Sequence, residues 1–173
     1  MGDATAIRYM SSYNGYCVAK LALFWSCSPK PDSKSRFPYG LPKEDVTAII
    51  QATYNNRPQM LRDVAPMFFY KPITQALSDW FFQLSFEAGW ATAECAKTFR
   101  DEVLFSDLAK IHVTTLILHG IHDKVCLFPL AEAMKMEIKN SILVSFANSI
   151  QYFLKSRISS TLNQFNLCEK YRK

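Results

Sequence analysis

Apolar and polar positions change their period three times along the chain. Across residues 3–13, Ala4, Ile7 and Met10 share one face at helical spacing, and Asn14-Gly15 supplies a C-terminal stop. Residues 18–25 then form a nearly continuous apolar run, the pattern of a strand buried on both faces in a parallel sheet. Four prolines and Gly40 break the pattern over 28–42. From Pro42 to about Arg100 the spacing is helical. Pro42-Lys43-Glu44-Asp45 makes a good first turn, and Val46, Ile49, Ile50 and Thr53 follow on one side. Arg57-Pro58 and Lys71-Pro72 punctuate this block, because the residue before proline is pushed out of the α region.

After Asp107-Leu108 the pattern returns to strand and helix in alternation: a β-branched run over 113–118, a helix over 129–138, a strand over 142–146 and a helix over 152–165. This order predicts an α/β fold with three parallel strands, near 18–26, 112–119 and 141–146, and flanking helices. Residues 1–31 and 101–173 would form the two parts of the core, and 32–100 a helical cap inserted between them. No internal repeat interrupts the order.

Composition adds exclusions. Of 173 residues 49% are hydrophobic and 20% charged, which supports a packed core and argues against disorder. Five glycines disfavour glycine-rich phosphate loops, and a net charge of +5 does not by itself call for nucleic acid. No apolar run is long enough for a membrane span, and the start, Met1-Gly2-Asp3-Ala4-Thr5-Ala6, matches neither a secretory signal nor a myristoylation site. Cys17, Cys27, Cys95, Cys126 and Cys168 are odd in number with no C-x-x-C pair, so reduced thiols in the cytoplasm are expected. The tail Lys170-Tyr171-Arg172-Lys173 reads as a solvated helix end. Thirteen phenylalanines complete the profile. Phe68, Phe69, Trp80, Phe81, Phe82, Phe86 and Trp90 make the helical block aromatic, a stripe expected mainly to pack, though such helices also roof pockets.

Chemistry concentrates late in the chain. His112, His119 and His122 lie close together, with Asp123 beside the last. Their spacing matches no zinc motif, so no metal and no cofactor are expected. Cys126 has no histidine set by any motif as its base. Leu118-His119-Gly120-Ile121-His122-Asp123 follows a predicted strand and precedes a helix and a further strand. This segment resembles the late half of the α/β-hydrolase fold, where the triad acid occupies an H-G-x-x-D turn. Lys20-Leu21-Ala22-Leu23, Asp107-Leu108-Ala109-Lys110-Ile111, Ile138-Lys139-Asn140-Ser141 and Phe146-Ala147-Asn148-Ser149 resemble further segments in the family's order. The cofactor-free haloperoxidase and arylesterase branch is the most similar, over residues 1 to about 167.

The resemblance implies a Ser, Asp, His triad in that chain order. Asp123 takes the acid position. Met1-Gly2-Asp3 aligns just after the G-x-S-x-G nucleophile turn, so on this alignment the nucleophile is missing. Gln151 stands in Ser149-Ile150-Gln151, where the family commonly has Ser-Gly-His, and an amide is no general base. The resemblance therefore implies a truncated, degenerate esterase- or haloperoxidase-like hydrolase, inactive alone. A gene fragment left by a frameshift or an internal start would explain both losses.

Other readings are a module that binds a partner protein or an apolar ligand without chemistry, and the C-terminal half of a split hydrolase. The partners expected are an ester or small apolar ligand under the cap, and a second copy or another protein along the edge strand 18–25. An unpaired apolar edge is an association hazard. Neither nucleic acid nor membrane is expected.

Overall fold

The computed structural model describes residues 2–24, 43–69, 72–89 and 91–146. Its element order is α1 (Gly2–Ser12), β1 (Lys20–Phe24), α2 (Lys43–Val64), a 3-10 turn (Ala65–Phe68), α3 (Gln75–Glu87), α4 (Ala91–Asp101), α5 (Phe105–Leu108), β2 (Thr114–Gly120), α6 (Phe128–Glu137) and β3 (Ser141–Phe146). Gln151, the helix expected over 152–165, the basic tail and the segment 25–42 lie outside the described residues.

The three strands form one parallel sheet with β2 in the centre. Leu23, Ile117 and Leu143 stand in register across it, as do Phe24, Leu118 and Val144 on the opposite face. Burial follows position in the sheet. From Thr115 to Gly120 every β2 residue is buried, whereas β1 and β3 carry exposed or half-buried positions. A central parallel strand is covered on both faces and so tolerates apolar residues throughout. This is why 113–118 reads as a continuous β-branched and apolar run.

Against the Leu23 face lies the main core. Ile7 and Met10 of α1, Leu104, Leu108, Ile111, and Ala131, Met134 and Ile138 from α6 and its end pack with Leu21, Leu23 and Ile117. Each large side chain so buried contributes about 1.5–3 kcal/mol. One buried carboxylate fastens α1 to α5. Asp107 accepts from Ser11 Oγ at 2.8 Å and ion-pairs with Arg8 at 3.2 Å. Its side chain is almost wholly buried, while Arg8 stays half in water.

The expected turn after α1 is present. Asn14 and Gly15 have φ of 51° and 66°, and Gly15 N–H donates to the Met10 carbonyl at 3.1 Å. Left-handed backbone favours glycine and asparagine, so this pair ends the helix. Proline acts as expected but one residue earlier. The break in α2 falls at Asn56 (φ −155°, ψ 79°), and Asn56 Oδ1 accepts from Gln59 N–H at 3.2 Å as an N-cap for the second half of the helix.

The aromatic stripe packs in part, as expected. Phe68, Phe69 and Phe81 do meet, with ring centroids 5.2–5.5 Å apart. Yet α3 buries none of its residues, and Trp80 and Phe86 are about half exposed. Among the described residues α2 and the 3-10 turn are the main elements against α3, too few to cover an apolar helix on every side. A cysteine expectation is corrected. Among the described residues Cys17 and Cys95 are free thiols, whereas Cys126 is disulfide-bonded.

Candidate functional site

In open parallel α/β sheets, ligands bind beyond the carboxyl ends of the strands. At that end of β2 the chain turns through Ile121-His122-Asp123 before entering α6. The turn is anchored to the sheet by Ile121 N–H donating to the Phe146 carbonyl at 2.8 Å, and closed by Asp123 N–H donating to Gly120 at 3.3 Å.

Asp123 is half-buried and fixed by its own backbone. Its Oδ1 accepts from Val125 N–H and Cys126 N–H, both at 2.8 Å. A short carboxylate reaches amides two and three residues ahead, and bonds to an ionised acceptor are stronger than neutral ones. Among the described residues Oδ2 accepts no hydrogen bond. One carboxylate oxygen is thus committed to holding the turn, and among the described residues the other takes no part in it.

The three histidines separate. His112 is exposed before β2, His122 is exposed in the turn, and His119 is fully buried on β2. Among the described residues, no three histidine, cysteine, aspartate or glutamate side chains gather where a metal could be held. His119 is the residue whose role the sequence concealed. Its Nε2 lies 2.7 Å from the Cys126 carbonyl, and its ring is 6.0 Å from that of Phe128. Only the H-G-x-x-D spacing hinted that His119 belongs to the turn.

A cavity of about 530 Å³ lies elsewhere, between α1 and α4. Arg8, Tyr9, Tyr13, Cys95 and Glu102 help to line it, and no lining residue belongs to the Asp123 turn. Arg8 is already engaged there by Glu102 at 2.9 Å. Its chemistry is that of a groove between two helices. Among the described residues no helix is long and apolar enough to cross a membrane.

Comparison with known proteins places this geometry. No family model matches the chain. An AB hydrolase superfamily protein, YisY of Bacillus subtilis (strain 168), is 39% identical over 170 residues, covering 96% of this chain and 63% of that protein. The solved structure of an esterase from Exiguobacterium antarcticum superimposes with a TM-score of 0.83 at 36% identity, over 94% of this chain and 61% of the esterase. The chain belongs to the α/β-hydrolase family. A non-heme haloperoxidase of Rhodococcus erythropolis is 30% identical over 131 residues, 72% of this chain and 48% of the haloperoxidase. The chain thus spans roughly half to three fifths of the length of the relatives it matches. What it presents is a partial α/β-hydrolase fold of esterase- and haloperoxidase-like ancestry.

Proposed function

We propose that this chain provides the acid-bearing half of an esterase- or haloperoxidase-like hydrolase site, and that its 173 residues alone do not turn over esters. The observation that carries the reading is Asp123, at the carboxyl end of the central strand, with Oδ1 bound to two backbone amides and Oδ2 open to a partner. A triad acid needs that form, because its task is to orient a histidine and stabilise the imidazolium that forms as the histidine takes the nucleophile's proton. The rest of the triad is not supplied by these residues. None of the five glycines is followed two residues later by serine, so no G-x-S-x-G turn occurs, and Gln151 stands where the family's histidine is expected. Loss of serine or histidine typically lowers the rate by about 10⁴–10⁶.

The test is hydrolysis of p-nitrophenyl acetate by the 173-residue chain. The expected result is a rate equal to that of a control protein lacking a catalytic serine. Turnover clearly above that control and abolished by Asp123→Ala would overturn the reading. The ligand class that suits the chain is an ester with an apolar acyl group, supported by the exposed rings of Trp80 and Phe86.

A second reading concerns association. The described ladder of β1 runs along β2 on one side only, while Leu21 and Leu23 are buried. A second copy or a partner protein adding a strand beside β1 is the association such an apolar run suits. Light scattering that shows a clean monomer at high concentration, with cooperative unfolding, would count against it.

A further inference from the structure

The backbone of Cys126 is held from two directions. Its N–H donates to Asp123 Oδ1 at 2.8 Å, and its carbonyl lies 2.7 Å from His119 Nε2. A carbonyl can only accept, so Nε2 carries the proton and donates. His119 is fully buried, and its Nδ1 has no hydrogen-bond partner among the described residues. The ring therefore has one polar task at this place, directed at the backbone of the acid turn. Register explains how it reaches there. His119 pairs with Ser145 and shares the β2 face of Ile117, the face against which α6 packs. The carbonyl that it meets belongs to the residue just before the N-cap of α6, Leu127.

We propose that His119 is a positioning residue for Asp123. Its Nε2–H clamps the Cys126 carbonyl, and so keeps the Val125 and Cys126 amides aimed at Asp123 Oδ1. With Oδ1 held in this way, the carboxylate cannot rotate, and Oδ2 keeps one direction. The inference rests on reading Asp123 as the acid of a hydrolase site, but its test does not need catalysis.

The test is amide hydrogen exchange of the 173-residue chain with two substitutions, together with the ¹⁵N spectrum of the His119 ring. Glutamine places its Nε2 the same number of bonds from Cα as histidine does, so His119→Gln should retain protection of the Val125 and Cys126 amides within about threefold. His119→Phe fills the space without a donor and should speed exchange at those two amides by about tenfold or more, leaving Ile117 and Leu118 unchanged. The ring spectrum of the unaltered chain should show the proton on Nε2.

A proton on Nδ1 alone, equal protection in His119→Phe, or uniform loss across the sheet in both variants would overturn the proposal. Should neither variant fold, the ring spectrum still decides. Ester turnover that is abolished by Asp123→Ala would refute inactivity while leaving the clamp intact, so the two failures are separable.

Discussion

The sheet region and helix α3, in the block between β1 and β2, use apolar side chains in opposite ways. Around β2, Leu23, Ile117, Leu108, Met134 and Ile138 are all fully buried, and their neighbours come from α1, α5 and α6 at once. In α3 the residues are just as apolar, yet none is buried and Trp80, Leu84 and Phe86 are about half exposed. The block keeps its own small core on α2, α4 and around the 3-10 turn, where Val46, Ile50, Met60, Phe69 and Ala93 are buried, and α3 is fastened to it by polar and aromatic contacts. Arg57, buried, donates to the Ser85 and Phe86 carbonyls at 3.0 Å, and its guanidinium lies 5.1 Å from the Phe86 ring. A cation on the last carbonyls of a helix satisfies both orphan acceptors and the helix dipole. Apolar content alone therefore does not identify a core. Enclosure by several elements does.

Truncation of large side chains should separate the two regions most clearly. Ile117→Ala should cost about 2–5 kcal/mol, because the sheet core cannot close around the lost atoms. Leu84→Ala on α3, with nearly half of its surface already in water, should cost under about 1 kcal/mol. Denaturant melts of the two variants measure this, and equal costs would erase the distinction.

Arg57→Met is expected to lie between them, at about 1–3 kcal/mol, through two carbonyls left without their donor. Hydrogen exchange should accelerate at the C-terminal end of α3 and leave the β2 amides protected. A uniform loss would mean that block and sheet unfold as one unit.

Smaller still is Gly15→Ala, at about 1 kcal/mol, since the residue holds φ at 66° and a Cβ would sit 2.8 Å from Met10 Cε. The methionine tip can shift, so the backbone term dominates. A thermal melt checks it, with no change or a rise in Tm the contrary result.

The smallest effect lies on the surface of the block. Lys97 beside Glu94, aided by the Tyr54 hydroxyl, holds the Glu94 carboxyl below its usual range. A carboxyl lowered in the fold adds stability above its unfolded value and loses it as pH falls through the folded value. Both groups are exposed, so the contribution to stability is minor. Proton titration by NMR should find Glu94 low and returned toward the ordinary value by Lys97→Ala.

Much of the fold was legible in residue pattern. Strands β1, β2 and β3 lie within a few residues of the expected runs, because a strand inside a parallel sheet must be apolar on both faces and few other elements are. Asn14-Gly15 and Pro58 marked real breaks, since backbone conformation is restricted locally by those residue types. The turn closed by Asp123 was legible in H-G-x-x-D, a spacing that places a short carboxylate where it can reach the amides ahead of it. Which rings of the aromatic stripe stay exposed, Trp80 and Phe86, was not legible. A ring's burial depends on which distant elements arrive beside it, and the sequence of α3 is equally apolar either way. Nor was the contact between His119 and the Cys126 carbonyl visible, because it joins a strand side chain to a backbone atom seven residues away.

By itself, then, the sequence determined the alternation of elements, the parallel character of the strands and the carboxylate that closes the turn after β2. These depend on period, backbone restriction and short-range reach. The tertiary structure decided which apolar residues form a core, which oxygen of Asp123 is committed to the turn and what braces that turn from behind. Those properties arise only when β2 is enclosed and its side chains meet groups brought in by folding.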